Sequence, residues 1–281
     1  MSDFRSLLTR DEPLLIPGAH DALTARLIEA AGFTAFGVGG AALAATQLAL
    51  PDLGIQSFGE YRDAVGRIME RATLPVMIDG ENGFGDVKAV TRTVRTFERM
   101  GVGAIAFEDL VFPPILTGPP AVIPAADMDA KLKAALAARH DDTMLVIGRT
   151  DAGYAIGVDE AIKRAKGFET LGVDAVLVPG LPDLDAYKRL REAVTIPIFV
   201  VVVPGSPWFA LTVPHLKEIG IEAALYPAAL LAWMIEAAGK GLEAIRSANG
   251  APPEGFDMAS VGRLLKADDW AAIDRRFGTT A

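Results

Sequence analysis

The segment RMGVGAIAFED, residues 99–109, joins the end of a predicted helix to a predicted strand, and this combination recurs along the chain. Gly101 follows the helical pattern, and a glycine just after a helix adopts the left-handed conformation without a Cβ penalty. An apolar run that contains alanine follows it. The same phrase surrounds three other glycines, Gly32, Gly172 and Gly220. A unit of helix, glycine and buried strand therefore repeats.

A second kind of apolar strand lies between these units. Its examples are TLPVMID, MLVIGRTD and TIPIFVVVV, which begin at Thr73, Met144 and Thr195. Together with LLIPGAHD, which begins at Leu14, they bring the predicted strands to eight, separated by amphipathic helical patterns. Apolar strands that alternate with helices indicate a parallel sheet covered by helices. Eight such units in about 250 residues predict an α/β fold of the (β/α)8 barrel type; a doubly wound open sheet is the alternative.

The predicted barrel occupies about residues 14–250, and residues 252–281 form a C-terminal tail of two short helices outside it. No linker or low-complexity segment divides the chain, so we expect one barrel domain over residues 1–281. The one long non-helical connection, residues 110–125, is rich in proline. Connections of this length are usually functional when they are ordered, so we expect an ordered or gating loop.

The composition limits the class of protein. The formal net charge is −9 and no cluster of Lys and Arg occurs, which argues against a nucleic-acid partner. The chain has no cysteine, which excludes disulfides, thiolate ligands and a cysteine nucleophile. Its most apolar stretch, Ala223–Gly239, contains Glu236 and is shorter than the roughly 20 apolar residues that span a bilayer. Because the N-terminus has no apolar signal core, we expect a soluble, cytoplasmic protein without a membrane partner.

Polar side chains collect where the third, fourth and fifth predicted strands end. They are Asp79, Glu81, Glu108, Asp109, Arg149 and Asp151. The C-terminal strand ends of a parallel barrel form its active face, so these groups should meet at one mouth. Carboxylates packed together repel one another unless a cation lies among them. Carboxylates without His or Cys suit a hard divalent ion, which predicts Mg²⁺ that keeps several waters, with Mn²⁺ as an alternative.

Each acid also has a simpler structural interpretation. Glu108 or Asp151, taken alone, could cap the following helix or pair with a surface lysine. Three consecutive strands that end in polar groups favour a metal site instead. Arg149 would then be available to hold a substrate carboxylate with two parallel hydrogen bonds. Tyr154 and Trp208 could line such a site, but we expect them to pack in the core.

These segments together resemble the isocitrate lyase/phosphoenolpyruvate mutase superfamily, especially its short methylisocitrate lyase-like members. The resemblance covers about residues 14–250. It rests, in chain order, on IPGAHDALTARLIEAAGF, the GG turn followed by LALPDLG, DGENGFGD, FED, GRTDA and ALYP. Where this chain has DGENGFG the family typically has DADTGFG, so Glu81 stands at the position of an aspartate.

The resemblance implies a (β/α)8 barrel that is usually a homotetramer with the last barrel helix exchanged between partners; a dimer with a swapped helix is the alternative. It also implies Mg²⁺ and a small 2-oxo or 2-hydroxy carboxylate as substrate. By the same resemblance, Asp79 would be the direct metal ligand. Glu81 and Glu108 would hold waters of the metal.

Other site residues follow from the resemblance in the same way. Arg149 would be the substrate arginine, and Asp52 would be the polar residue near the reacting centre. Gly39 and Gly40 would offer backbone N–H groups to the substrate carboxylate. The resemblance thus implies Asp52 and Arg149 as catalytic residues.

The chain also departs from the family. Family lyases have a KRCGH-type loop motif whose cysteine is the acid, whereas the equivalent stretch here is PPILTGPP, residues 113–120. The lysine-containing loop of phosphonopyruvate mutases and hydrolases is missing too. Gly37 and Gly39 stand for the family's tyrosine and serine, Gly180 stands for a glutamate and Val201 for an asparagine. The metal corner is retained, but much of the proton-transfer and distal substrate-binding set is lost.

We therefore expect a Mg²⁺-dependent carbon–carbon lyase that cleaves or decarboxylates a small 2-oxo or 2-hydroxy carboxylate through an enolate. Decarboxylation of a 2-oxo diacid needs the least machinery, because CO₂ leaves and a solvent proton can quench the enolate. One alternative is C–P chemistry of the phosphonopyruvate mutase or hydrolase type. Another is a degenerate paralogue that binds a carboxylate without turnover; the retained charge cluster opposes it, since buried charges are costly to keep without a use.

Overall fold

The computed structural model describes residues 4–8, 12–113, 120–203, 205, 211–247 and 257–278. Its centre is a closed barrel of eight parallel strands. They are Leu14–Ala19 (β1), Phe36–Val38 (β2), Val76–Asp79 (β3), Ala104–Glu108 (β4), Leu145–Arg149 (β5), Ala175–Leu177 (β6), Ile198–Val201 (β7) and Ala223–Tyr226 (β8). Each strand pairs with the next, and β8 pairs with β1. The barrel predicted from the repeats is confirmed, and the open sheet is wrong.

Helices connect the strands and cover the barrel. They are Phe4–Leu7 (α1), Ala22–Ala30 (α2), Gly40–Leu43 (α3), Phe58–Met69 (α4), Val87–Arg99 (α5), Ala125–Ala138 (α6), Ala152–Ala155 (α7), Val158–Leu171 (α8), Leu184–Ala193 (α9), Val213–Ile219 (α10), Ala229–Ser247 (α11), Met258–Leu264 (α12) and Ala267–Phe277 (α13). A π-helical turn, Ala44–Leu48, continues α3. In the described part of the chain, no helix combines the length and the apolar character that crossing a membrane requires.

The local sequence sets where several helices begin and end. The carboxylates of Asp21 and Asp183 accept backbone N–H groups from the first turns of α2 and α9, which satisfies donors that have no partner within a helix. Gly172 and Gly220 end α8 and α10 with φ values of 90° and 80°, as the repeated phrase predicts. The two predicted tail helices are α12, which contacts α2, and α13. The expectation of one domain over residues 1–281 stays a prediction.

The barrel interior is built in layers, because every second residue of a strand points inward. One apolar layer consists of Met77, Ala106, Ile147, Ala175, Phe199 and Ala223. Phe4 and Leu7 of α1 belong to the same cluster of buried residues. Two positions further along the six strands comes the last inward layer: Asp79, Glu108, Arg149, Leu177, Val201 and Leu225. This layer is charged on β3 to β5 and apolar on β6 to β8.

Candidate active site

Asp79 ends β3 at the mouth of the barrel, and its neighbours fix both its backbone and its side chain. Its Oδ1 accepts a hydrogen bond from the backbone N–H of Glu81 at 3.0 Å. Its Oδ2 lies 2.9 Å from Nη1 of Arg149. Tyr61, buried on α4, donates its hydroxyl to the carbonyl oxygen of Asp79 at 2.5 Å. The side chain of Asp79 is still 24% exposed, so its carboxylate remains accessible from the mouth.

Arg149 lies among three carboxylates. Its Nε and Nη2 contact Asp151 side-on at 2.9 and 3.1 Å. Its Nη1 lies 2.9 Å from Asp79 and 2.8 Å from Glu108. Burial alone would lower the pKa of Arg149, but these carboxylates raise it well above its ordinary value. The guanidinium stays charged and holds the protein's own acids; its binding of a substrate carboxylate stays a prediction.

Two acids after β4 and β5 support this arrangement. Asp151 does not cap α7, because its carboxylate pairs with Arg149 instead. Asp109 is buried and accepts hydrogen bonds from the hydroxyl of Thr150 at 2.6 Å and from the backbone N–H of Asp151 at 2.9 Å. It also pairs with Arg164 of α8 at 2.9 Å. Asp109 therefore holds the turn that follows β5.

Glu108 is buried beside Arg149. Its side chain is 3% exposed, so little of it reaches the solvent of the mouth. Burial raises the pKa of Glu108 well above its ordinary value, although the charge of Arg149 opposes the shift. A cation near this carboxylate would stabilise its charged form.

Glu81 differs from the other acids in its backbone, which is left-handed, with φ of 54°. Its carboxyl group lies against Gly40: a Cβ added to Gly40 would be 1.6 Å from Oε1 of Glu81. Burial, followed by the charges of Asp79 and Glu108, raises the pKa of Glu81 well above its ordinary value. Glu81 borders a cavity of about 390 Å³ that shares Gly40 and Asp52 with the mouth.

The mouth itself contains a cavity of about 340 Å³ with two chemically different sides. Its polar residues are Asp52, Asp79, Arg149, Asp151 and Tyr154. Gly39, between β2 and α3, and Gly40, the first residue of α3, also border it. Leu177, Val201, Val203 and Leu225 form an apolar side. The cavity is large enough for a small acid.

Asp52 lies on the loop between the π-helical turn and α4, where it borders both cavities. The residue as a whole is exposed. Burial of its carboxyl group, together with the charge of Asp79, nevertheless raises the pKa of Asp52. The structure thus brings Asp52, Gly39, Gly40, Asp79 and Arg149 around one cavity. The roles that the resemblance implies for them stay predictions.

The carboxylates at the mouth fit Mg²⁺ only as an ion that binds one or two of them and keeps its waters. Within the described ranges, no three His, Cys, Asp or Glu side chains are placed to hold a metal ion together. Mg²⁺ usually binds through one or two carboxylates and keeps several waters. The accessible carboxylate of Asp79, next to the buried acid Glu108, provides oxygen donors of this kind.

The sequence interpretation misplaced one site residue and overlooked another. Tyr154 is not a core residue: it lies on the short α7, is 60% exposed and borders the mouth. Trp208 lies outside the described residues. Lys131 of α6 donates from Nζ to the carbonyl oxygen of Asn82 at 2.7 Å, and burial lowers its pKa. In the sequence, Lys131 is one of several polar residues of an amphipathic helix, and nothing in that pattern predicts its contact with Asn82.

The base of the predicted gating loop is paired. Leu110 and Val122 form an antiparallel bridge. The backbone N–H of Val111 donates to the carbonyl oxygen of Ala121 at 2.9 Å. Residues 114–119, which form the middle of the loop, lie outside the described residues, so its gating role stays a prediction.

A parallel eight-stranded barrel with acids and an arginine at its C-terminal mouth is typical of enzymes that bind small ligands at that face. Residues 4–246 match the model of the phosphoenolpyruvate phosphomutase family, and the chain belongs to this family. The superfamily resemblance seen in the motifs is confirmed.

Several relatives of similar sequence are lyases or decarboxylases of small carboxylates. The chain is 32% identical over 244 residues to 2-methylisocitrate lyase of Shewanella oneidensis, covering 86% of this chain and 84% of that protein. It is 32% identical over 274 residues to oxaloacetate decarboxylase of a Bradyrhizobium species, covering 97% and 94%. It is 33% identical over 230 residues to 2,3-dimethylmalate lyase of Eubacterium barkeri, covering 80% and 78%. The predicted class, carbon–carbon lyase, is confirmed, and the reaction is left open.

Solved structures agree with the barrel. Oxaloacetate acetylhydrolase in complex with the inhibitor 3,3-difluorooxalacetate superimposes with a TM-score of 0.91 at 26% identity, covering 99% of this chain and 97% of that one. Phosphonopyruvate hydrolase in complex with oxalate and Mg²⁺ gives a TM-score of 0.89 at 25% identity, covering 99% and 98%. The (β/α)8 fold is therefore shared over nearly the whole chain.

Proposed function

We propose that the protein is a Mg²⁺-dependent carbon–carbon lyase that decarboxylates a small 2-oxo diacid. The observation that carries the proposal is the pairing of Asp79 with Arg149 beside the mouth cavity. It supplies an accessible carboxylate for a cation next to a space of about 340 Å³ for a small acid. The similarity to oxaloacetate decarboxylase over 97% of the chain supports the same class of reaction. Cleavage of a 2-hydroxy acid is the broader form of the proposal.

The metal, when bound, supplies a Lewis acid that withdraws electrons from the 2-oxo group. Mg²⁺ is the proposed ion, with Mn²⁺ as an alternative. Asp79 would be its direct ligand, and Glu81 and Glu108 would hold its waters. Burial, and then the neighbouring acids, raise the pKa values of Glu81 and Glu108, which supports this assignment because a nearby cation would stabilise their charged forms.

The proposed reaction needs little proton transfer from the protein. The C3–C4 bond breaks, its electron pair stays on C3 as part of the enolate, and C4 leaves as CO₂. A proton from solvent then adds to C3. Residues 113–120 contain no ionisable side chain, which fits a reaction that requires no acid from the loop.

The chain's own residues orient the substrate. Backbone N–H groups of Gly39 and Gly40 would bind its carboxylate, which Arg149 would also contact. Arg149 holds Asp79 in place through Nη1. Asp52, which borders the mouth cavity, would lie near the reacting carbon. Catalysis would then depend mainly on positioned charge and hydrogen-bond donors.

The proposal is tested with a panel of 2-oxo and 2-hydroxy diacids, with Mg²⁺ and with a chelator. We expect Mg²⁺-dependent CO₂ release, and we expect Asp79→Ala to lower kcat/KM by about 10²–10³-fold, the range for loss of one preorganised electrostatic contact. Asp63→Ala, on the outer surface of α4, is the control and should retain activity. Turnover that neither a chelator nor Asp79→Ala changes would contradict the proposal.

C–P chemistry is the second candidate, because the matching family is named for a phosphomutase and a phosphonopyruvate hydrolase shares the fold. The missing loop lysine argues against it. Phosphorus NMR with phosphonopyruvate decides the matter, and we expect no change in the signal. A degenerate paralogue would instead bind oxalate with Mg²⁺ and release no product from any acid.

We also propose a homo-oligomer, with a tetramer or a helix-swapped dimer as its form. Apolar side chains exposed on α11 support this assembly: Trp233, Ile235, Leu242 and Ile245. A cytoplasmic location belongs to the same proposal. Sedimentation at several protein concentrations tests the assembly, and a monomer at every concentration would contradict it.

A further inference from the structure

The apolar side of the mouth is a continuous part of the barrel. In the strand register, Arg149 pairs with Leu177 on β6, and Val201 on β7 pairs with Leu225 on β8. The charged layer therefore changes to an apolar one between two adjacent strands. Val203, which is 39% exposed, extends the surface two positions beyond Val201. We call Leu177, Val201, Val203 and Leu225 the apolar wall.

The sequence directly after each of these three strands is uncharged. Residues 178–182, 202–212 and 226–235 contain no Asp, Glu, Lys, Arg or His. Gly180 could not be replaced by an acid without rearrangement, because its φ is 81° and an added Cβ would lie 2.7 Å from the ring of Tyr154. The ring of Tyr154 thus occupies the space that a side chain at position 180 would need.

This chemistry selects among ligands. A charged group placed against the apolar wall would lose water without gaining a partner, which is unfavourable. An alkyl group placed there would remove apolar surface from water on both partners, which is favourable. If the polar half takes the 2-oxo carboxylate and also the carboxylate that leaves as CO₂, the wall faces the remaining substituent on C3.

We propose that the apolar wall binds a small alkyl substituent on C3, the carbon next to the 2-oxo group, and that Val201 determines this specificity. The substrate class is then the C3-alkyl-substituted 2-oxo acids rather than unsubstituted ones. This inference rests on the proposed function, since it assumes that both carboxylates of the 2-oxo diacid lie on the polar half. Val201 is the central residue because it ends β7 between Leu177 and Leu225.

The test measures binding, so that it does not depend on turnover. Pyruvate and 2-oxobutyrate differ by one methyl group on C3, and their dissociation constants with Mg²⁺ are measured by calorimetry. We expect 2-oxobutyrate to bind at least about fourfold more tightly, the effect of burying one methylene-sized group. Val201→Thr keeps the shape of the side chain but adds a hydroxyl, so the ratio should fall below about twofold. Val261→Thr on α12 makes the same change outside the barrel and should keep the wild-type ratio.

Three results would overturn the inference: pyruvate binding as tightly as 2-oxobutyrate, an unchanged ratio in Val201→Thr, or no Mg²⁺-dependent binding of either acid. Turnover is then measured separately with oxaloacetate and its 3-methyl derivative. If neither acid is decarboxylated while the binding ratio holds, the proposed reaction fails and the assignment of the apolar wall stands. If both are decarboxylated, kcat/KM should favour the 3-methyl acid and lose that preference in Val201→Thr.

Discussion

The strands β3 to β5 and β6 to β8 are parallel members of one barrel, but their last inward side chains differ. These side chains are charged on β3 to β5 and apolar on β6 to β8. Below their last inward residues, both sets are apolar and buried. The last layer lies at the mouth, and there Arg149 pairs with Glu108 on one side and with Leu177 on the other. A barrel of this kind can therefore vary one layer without changing its core. Under the proposed function, the charged half would activate the substrate and the apolar half would select it.

Arg149→Met should give the largest effect. It leaves Asp79, Glu108 and Asp151 without their shared cation, and breaking a buried ion pair in this way costs about 3–5 kcal/mol. We expect that loss in the free energy of unfolding, measured with urea, together with loss of Mg²⁺-dependent turnover. Arg62→Met, at an exposed ion pair with Asp63, is the control. An unchanged unfolding free energy would show that the charged half does not depend on the guanidinium.

Leu177→Ala makes the corresponding change on the neighbouring strand. Leu177 is 3% exposed, and truncation of a buried leucine costs about 2–5 kcal/mol through lost burial and the cavity left behind. We expect that loss of stability with an unchanged affinity for Mg²⁺, measured by calorimetry with oxalate. Leu184→Ala, at an exposed position of α9, should change neither. Weaker Mg²⁺ binding by Leu177→Ala would show that the two halves are coupled.

Lys131→Met should have an intermediate effect that is confined to the charged half. Its Nζ holds the carbonyl oxygen of Asn82, next to Glu81, so the variant should loosen the turn after β3. We expect the Mg²⁺ concentration for half-maximal activity to rise about tenfold, as with other residues that orient metal ligands. Lys133→Met, exposed on the same helix, is the control. Equal effects of both variants would argue against a positioning role.

Glu81→Gln should give the smallest effect, and its sign depends on pH. The folded state raises the pKa of Glu81 above its reference value of 4.5. The stability linked to this group is therefore present below about pH 4.5 and is lost as the pH rises through the folded pKa. In metal-free protein, Glu81→Gln should become more stable than the wild type as the pH increases, measured by urea unfolding with a chelator. A difference that is constant or decreases with pH would contradict the assignment.

The fold could be predicted because its determinants are local. Each repeat carries its own helix stop and apolar strand, and Gly101 or Gly172 needs no distant partner to end a helix. The positions of Asp79 and Arg149 at the mouth also follow from alternation along parallel strands. Contacts across the chain could not be predicted: Asp109 meets Arg164, 55 residues away. The exposure of Tyr154 depends on how the short α7 projects, which no periodic pattern encodes.

Gly40 and Glu81 occupy one space, and this has an evolutionary consequence. Because an added Cβ at position 40 would overlap the carboxyl group of Glu81 where it now lies, any side chain at position 40 would force that carboxyl group to turn away. The two positions are therefore coupled: glycine at position 40 leaves room for the longer acid, and Gly40→Ala would be accepted more easily with a shorter acid at position 81.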